Sequence, residues 1–145
     1  MQVGQILRTK GRDVVALPGE ATLSEAARLL ANKRIGALVV KDKSGAPCGI
    51  LSERDVVRAV AAESVAALAR PVSAYMTREV ATCTELDTVE ELMEMMTQGR
   101  FRNVPVIDEN KQLCGLVSIG DVVKMHIEET AREAASLRQY IAAAG

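Results

Sequence analysis

Aromatic side chains are scarce in this chain, which has one phenylalanine, two tyrosines and no tryptophan among 145 residues. Proteins that bind single-stranded nucleic acid without sequence preference stack bases on aromatic rings, and such a platform is missing. The net charge is −1, from 18 basic and 19 acidic residues of interspersed sign. This balance gives no electrostatic footprint for nucleic acid or for an anionic membrane, so we expect neither as a partner.

Residues that carry catalysis or bind metals are equally few. His126 is the only histidine, and the three cysteines, Cys48, Cys83 and Cys114, are too scattered for a disulfide framework or a zinc site. We interpret the cysteines as small buried hydrophobes in a reducing cytoplasm. The sequence also lacks a phosphate-binding G-x-x-x-x-G-K-[ST] loop and a histidine-paired nucleophile. We therefore expect no enzymatic activity and no metal.

No apolar run reaches the roughly 18 residues that a membrane span needs. The first residues, Met1–Gln5, have neither the charged nor the apolar region of a signal peptide. A cytoplasmic location follows as an expectation. Hydrophobic residues make up 48% and charged residues 26% of the chain, proportions typical of a globular domain.

What the chain does contain is an internal repeat with a constant offset of 66 residues. The segment G-I-L-S-E-R-D-V-V, residues 49–57, corresponds to G-L-V-S-I-G-D-V-V, residues 115–123. The same offset relates Thr22 to Thr88 and Arg34 to Arg100. Because a repeated unit rarely buries its apolar face alone, we expect the two copies to pack on each other with pseudo-twofold symmetry.

Each copy is predicted to contain a strand, a helix, two strands and a helix. The T-x-x-E pattern at Thr22 and Thr88 is a capping box that starts a helix, and each later pair of strands is separated by turn residues. The remaining helices begin at Ser52 and Ser118, and Pro105 indicates an edge strand or an irregularity. The predicted strands are 14–17, 37–40 and 48–51 in the first copy, and 80–83, 103–107 and 114–117 in the second.

The fold class is therefore α+β (α/β), with two β-α-β-β-α repeats. We place the first repeat at residues 1–66, the second at 67–130 and a C-terminal helical extension at 131–145. The connector between the copies, Ala61–Ala69, is rich in alanine and predicted to be helical, and Pro71 ends it.

Together with R-F-R-N-V-P-V-I-D, residues 100–108, the repeated segments resemble a pair of CBS domains, also called a Bateman module. The resemblance extends from about Val3 to Lys124. It implies a regulatory module that binds AMP, ADP, ATP, NAD(H) or S-adenosylmethionine in clefts between paired domains, with no other cofactor required. It also implies assembly into a disc of four domains.

The helix starts at Ser52 and Ser118 suit a ligand of this kind. A helix N-terminus and a hydroxyl bind phosphate, and a carboxylate three residues later, Asp55 or Asp121, can accept hydrogen bonds from a ribose diol. The family resemblance assigns the same roles to this S-x-x-D pattern. Capping of the helix alone would also explain the pattern.

By resemblance, an adenine base lies against strand residues and small apolar side chains. These candidates are Ala81, Thr82, Phe101, Arg102, Asn103, Val104 and Pro105 in the second copy, and Val15, Ala16, Ile35, Gly36, Ala37 and Leu38 in the first. Sheet core explains the apolar positions equally well. The copies differ in charge, because Arg102 corresponds to Gly36 and Gly120 to Arg54, so the basic groups available to phosphate differ between the copies.

Two functions remain open at this point. One is a nucleotide sensor of energy or redox state that acts on an unidentified partner protein in trans. The alternative is a dimeric docking module with no physiological nucleotide. In both cases we expect a homodimer, because the helices after Ser52 and Ser118 carry more apolar surface than two small sheets need. The residues concerned are Val56, Val57, Val60, Val122, Val123 and Ile127.

Overall fold

The structure is a computed structural model that describes residues 1–144. Its helices are α1 (Val3–Lys10), α2 (Leu23–Lys33), α3 (Glu53–Glu63), α4 (Val89–Gly99) and α5 (Ile119–Ala144). Its strands are β1 (Ala16–Pro18), β2 (Ala37–Lys41), β3 (Pro47–Ser52), β4 (Asn103–Ile107) and β5 (Leu113–Ser118). None of the described helices is both long and apolar enough to cross a membrane.

The helices α2 and α4 confirm the repeat, because each has 11 residues and each begins after its predicted threonine cap. The Thr22 hydroxyl accepts the Glu25 N–H at 3.2 Å, and the Thr88 hydroxyl accepts the Glu91 N–H at 3.1 Å. Both helices end at an arginine in the left-handed region, Arg34 or Arg100. The two β-α-β-β-α units therefore share their local structure as well as their sequence.

The hairpins of the two repeats have the same register. β2 and β3 are antiparallel with Val39 opposite Ile50, and β4 and β5 are antiparallel with Pro105 opposite Leu116. The bend at each turn is held by an aspartate: the Asp42 carboxylate accepts the Ser44 N–H at 2.9 Å. In the second repeat Asp108 does the same for Asn110 at 2.8 Å.

The first strand of the second repeat is the one element that the sequence predicts wrongly. β1 pairs with β2 in parallel, whereas residues 80–83 form only an isolated bridge between Cys83 and Val106. In the first repeat the Val39 N–H donates to the Val15 carbonyl at 3.1 Å. The equivalent donor would be Pro105, which has no N–H, so this rung of the ladder is missing. β4 is consequently an edge strand, as its proline predicts.

The two hydrophobic cores exchange segments across the repeat boundary. α1, which the sequence analysis did not predict, packs Val3, Ile6 and Leu7 into the core formed by α4, α5 and the second sheet. In turn, Ala67 of the connector and Val72, just after it, pack in the core of the first repeat. The boundaries 1–66 and 67–130 describe the repeat in sequence and stay a prediction for domains, since neither core is built from one copy alone.

The connector is helical up to the residue predicted. α3 ends at Glu63, a 3-10 helix covers Ser64–Ala69, and Pro71 follows. Ser64 has φ 59°, so the backbone turns there and the α-helix cannot continue through it. A hydrogen bond from the Tyr75 hydroxyl to Glu63 ties the end of α3 to the connector.

α5 is one continuous helix, so the predicted C-terminal helical extension is the distal part of the closing helix. Val122 and Met125 face the core of the second repeat, and every residue from Thr130 to Ala144 is exposed. The sequence analysis places Val122 on an assembly surface, and this prediction is wrong. Its side chain is 1% exposed because it packs in the core. Val57, Val123 and Ile127 are exposed, as expected.

The cysteines behave as small hydrophobic residues. Cys83 is buried, and Cys48 and Cys114 are half-buried against the two cores. Burial raises the pKa of the Cys83 thiol to about 12, so it stays protonated at neutral pH. No group of side chains among residues 1–144 is arranged to hold a metal ion.

Candidate functional site

A cleft of about 710 Å³ lies between the two repeats and is lined by residues of both. It lies beside the start of α3 and the start of α5, where two helix N-termini meet. Its walls are formed by Gly36, Ile50, Ser52, Glu53, Arg54, Asp55, Arg58, Thr77, Glu79, Val80, Ala81, Arg100, Phe101, Arg102, Asn103, Ser118 and Ile119.

Nine of the predicted site residues line this cleft, namely Gly36, Ser52, Arg54, Asp55, Ala81, Phe101, Arg102, Asn103 and Ser118. Nine predicted residues do not line it, namely Val15, Ala16, Ile35, Ala37, Leu38, Thr82, Val104, Pro105 and Asp121. Ala37, Val104 and Pro105 are buried within the sheets, as the alternative interpretation of sheet core predicts. Ala16 and Thr82 are partly buried and lie outside the lining of the cleft.

Both S-x-x-D motifs form helix caps. The Asp55 carboxylate accepts the Ser52 N–H at 2.8 Å, and the Ser52 hydroxyl accepts the Asp55 N–H at 3.3 Å. The corresponding distances for Asp121 and Ser118 are 2.8 Å and 3.2 Å. Because a carboxylate has further lone pairs, capping does not prevent it from binding a hydroxyl of a ligand.

The first backbone N–H group of α3 and that of α5 make equivalent hydrogen bonds. The Glu53 N–H donates to the Gly36 carbonyl at 3.0 Å, and the Ile119 N–H donates to the Arg102 carbonyl at 2.8 Å. These bonds fix the loop before β2 or β4 against the helix that follows the hairpin. Gly36 and Arg102 are thereby held at the mouth of the cleft, at equivalent positions with different side chains.

The two aspartates differ in what surrounds them. Lys10, at the end of α1, forms an ion pair with Asp121 at 2.6 Å and donates to the Leu116 carbonyl at 2.7 Å. In the first repeat the segment after Pro71 takes the place of α1: Met76 packs against Gly49 as Leu7 packs against Gly115, and this segment brings no lysine to Asp55. Asp55 has no ion pair within residues 1–144. Asp55 therefore lines the cleft without an ion pair, whereas Asp121 lies outside the lining and is neutralised by Lys10.

The ion pair changes the acidity of Asp121. Burial opposes ionisation of this carboxyl, but the Lys10 ammonium and the hydrogen bonds from Ser118 outweigh it and lower its pKa. Asp121 is consequently ionised at neutral pH. A ligand hydroxyl that approached it would share the carboxylate with Lys10.

The cleft carries a concentration of arginine. Arg54, Arg58, Arg100 and Arg102 line it, against Glu53, Asp55 and Glu79. None of the four arginines forms an ion pair within the part of the chain that the structure describes. Unpaired guanidinium groups next to helix N-termini are suited to phosphate oxygens.

Part of the cleft lining is apolar. Val80, Ala81 and Phe101 form it, and the Phe101 ring lies so close to Gly99 that an added Cβ there would collide with it. Because Pro105 cannot donate to the Ala81 carbonyl, as Val39 does to Val15, that acceptor is left without its ladder partner. A flat heterocycle with an amino group has both an apolar surface and a hydrogen-bond acceptor at this end.

Sequence reasoning missed several lining residues. Thr77 and Glu79 lie in the cleft because the chain before Val80 pairs with β3: the Thr77 N–H donates to the Ile50 carbonyl at 2.9 Å. No local pattern marks this bridge. Arg58 could have been found, since it lies four residues after Arg54 on α3 and so shares a helix face with it.

Comparison with known proteins identifies the family. The CBS domain model matches residues 3–62 and 72–136. An uncharacterised 17.7 kDa protein of Acidianus ambivalens is 35% identical over 123 residues, which cover 85% of this chain and 71% of that protein. Some other curated relatives are much longer, and the chain spans 19% of their length.

Solved structures agree with the family model. A CBS-domain-containing protein of Agrobacterium tumefaciens is 46% identical, with a TM-score of 0.80 over 87% of this chain and 99% of that one. A CBS domain protein of Pyrobaculum aerophilum complexed with AMP is 32% identical, with a TM-score of 0.74 over 83% of this chain and 89% of that one. With two matched repeats and the βαββα architecture of both, this chain belongs to the CBS-domain family as a tandem CBS-domain pair.

Proposed function

We propose that the chain is a regulatory module that binds an adenine nucleotide in the cleft between its repeats and acts on a partner protein in trans. The observation that carries the proposal is the set of four arginines without ion pairs among residues 1–144 that line the cleft together with Asp55; Arg54 and Arg58 lie on α3, and Arg100 and Arg102 lie before β4. The AMP complex of the Pyrobaculum aerophilum relative supports it. AMP, ADP, ATP and NAD(H) are the candidate ligands, which would make the module a sensor of energy or redox state.

The proposed pose follows the polarity of the cleft. The ribose diol donates to Asp55, and the phosphate lies among Ser52, Arg54 and Arg102 near the start of α3. The base lies toward Val80, Ala81 and Phe101, with its amino group at the free Ala81 carbonyl. A charged hydrogen bond of this kind contributes about 1.5–3 kcal/mol, so the diol and the phosphate together account for most of the expected specificity.

A second ligand position at Ser118 and Asp121 is part of the same proposal, with one difference. Lys10 already occupies Asp121, so a ribose would have to share or displace that ion pair. Gly120 also offers no side-chain cation where Arg54 does. We therefore expect the position at Asp55 to fill first.

Calorimetry with AMP and adenosine tests the proposal with a matched pair of variants. Arg100 and Arg34 both end a helix in the left-handed conformation, but only Arg100 lines the cleft. Arg100→Ala and Arg102→Ala should weaken AMP binding while leaving adenosine nearly unchanged, because only AMP carries a phosphate. Arg34→Ala should change neither titration.

A thermal shift assay decides whether the site binds at all. A ligand at 100 times its Kd stabilises the folded state by about 2.7 kcal/mol, so it raises the Tm measurably. If AMP, ATP, NADH and adenosine at millimolar concentration give neither heat nor a Tm shift with the folded wild type, the nucleotide proposal fails. The docking module described next then takes its place.

The second candidate function is a dimeric protein-interaction module with no physiological nucleotide. The observation that favours it is the apolar surface on α3 and α5, where Val57 is 67% and Ile127 is 62% exposed. Such a surface is expected to be covered in solution, and the simplest cover is a homodimer that forms a disc of four CBS domains. Light scattering that gives a 15.5 kDa monomer at high micromolar concentration would exclude this homodimer.

A further inference from the structure

The distal part of α5 extends beyond the two cores. From Thr130 to Ala144 each residue is exposed. At about 1.5 Å per residue, these residues project roughly 22 Å. Residues in this segment are mostly good helix formers, but an amphipathic helix in a folded protein usually has an apolar face that is packed.

The exposed side of α5 carries a regular seam of apolar and small side chains. Its most apolar members, Ile127, Leu137 and Ile141, are all about 60% exposed, at 62%, 60% and 61%. The spacing along the seam alternates between three and four residues, which is the heptad pattern of a coiled coil. The seam consists of Val123, Ile127, Thr130, Ala134, Leu137, Ile141 and Ala144.

The charged residues beside the seam specify the direction of a partner helix. With Ile127 at position a, Glu133 falls at g and Arg138 at e of the next heptad. In a parallel two-stranded coil, g of one helix faces that e position of the other, so Glu133 meets Arg138 of the second copy twice by symmetry. Within one helix, residues five apart are not neighbours, and neither residue has an ion pair within residues 1–144.

An antiparallel pair would be less favourable. It brings e positions beside e positions and g positions beside g positions, so Glu133 would no longer face Arg138. The charge pattern therefore selects a second copy of this chain in parallel orientation over an antiparallel copy.

We propose that the segment Ile127–Ala144 pairs with the same segment of a second copy as a parallel two-stranded coiled coil. This pairing rests on the homodimer proposed above and specifies the orientation of its two copies. The two modules lie head to head, with the coil along the twofold axis. Thr130 and Ala134 have small side chains, so the coil buries little apolar surface and contributes little affinity. It fixes the orientation of the two modules, while the apolar surface of α3 and α5 supplies most of the affinity of the dimer.

Reciprocal charge reversal tests the pairing. Glu133→Arg and Arg138→Glu each replace two attractive contacts with two repulsive ones, and each should weaken its homodimer roughly five- to thirtyfold. A mixture of the two variants restores both attractive contacts. The heterodimer should then exceed one half of all dimers, the share expected from random exchange. Native mass spectrometry of differently tagged copies measures this share directly.

The control is Arg132→Glu, the same type of reversal on the outward face of the helix, which should leave the dimer unchanged. All three positions are exposed, so circular dichroism should show a folded protein in each case. Random mixing, or homodimers of unchanged affinity, would overturn the coiled coil even if the wild type is a dimer. A monomeric wild type would overturn the homodimer itself, so the two failures are distinguishable.

Discussion

Replacement of Asp55 by alanine separates its role as a helix cap from its role in ligand binding. Its carboxylate accepts the Ser52 N–H at 2.8 Å and the Ser52 hydroxyl at 3.1 Å, and it faces the cleft. Loss of a helix cap typically costs about 1 kcal/mol. For a chain of this length, that lowers Tm by about 2–4 °C.

We expect the substitution of Asp55 to change ligand affinity more than it changes stability. A ribose diol that donates to Asp55 loses a charged acceptor, worth about 1.5–3 kcal/mol, or roughly ten- to a hundredfold in Kd. The affinities for adenosine and for AMP should fall equally, since both ligands carry the diol. Calorimetry with each ligand, beside thermal unfolding without ligand, gives both quantities on the same protein.

Thr22→Ala is the matched control. The Thr22 hydroxyl caps α2 through the Glu25 N–H at 3.2 Å, and Thr22 does not line the cleft. Its loss should lower Tm by a similar amount and leave both titrations unchanged. If Asp55→Ala also lowers Tm without changing either Kd, the carboxylate is only a cap and the proposed pose is wrong.

Two further predictions concern the second repeat. The lowered pKa of Asp121 means that its ion pair with Lys10 stabilises the fold above the unfolded pKa, near 3.9, and loses this effect as pH falls through the lower folded pKa. The unfolding free energy difference between wild type and Asp121→Asn, from urea titrations, should therefore be largest above about pH 5 and shrink below about pH 4, whereas Lys10→Met should flatten this dependence. Pro105→Val should supply the N–H that Val39 has, giving a protected amide at position 105 in hydrogen exchange. Because that N–H would occupy the Ala81 carbonyl, the variant should bind adenosine roughly five- to tenfold more weakly. Unchanged affinity for adenosine would exclude that carbonyl from the site.

Much of the fold could be predicted because its signals are local. The capping residues Thr22 and Thr88 lie within three residues of the N–H groups that they bind, so sequence alone specifies where those helices begin. The hairpins are equally local, with turn residues between two β-prone runs. Because the offset between the repeats is constant, a prediction made for one repeat also applied to the other.

The contacts that distinguish the two aspartates are not local. Lys10 and Asp121 are 111 residues apart, and their ion pair depends on α1 packing against the second repeat. The helical spacing of Val3, Ile6 and Leu7 would have predicted α1 itself, but not the core that it joins. Sequence could therefore propose the S-x-x-D motifs as a pair of equivalent sites, while only tertiary packing separates them.

The same backbone with a few different side chains gives the cleft two unlike ends. At the first helix start, Arg54 and Asp55 line the cleft. At the second, the Ile119 N–H holds the Arg102 carbonyl, Gly120 stands in place of Arg54, and Lys10 pairs with Asp121. Both ends therefore offer an arginine to an anionic group, but among residues 1–144 only the end beside α3 also offers a carboxylate that has no ion pair. The two repeats share their backbone, and differences at a few positions outside the cores make the two helix starts chemically unlike.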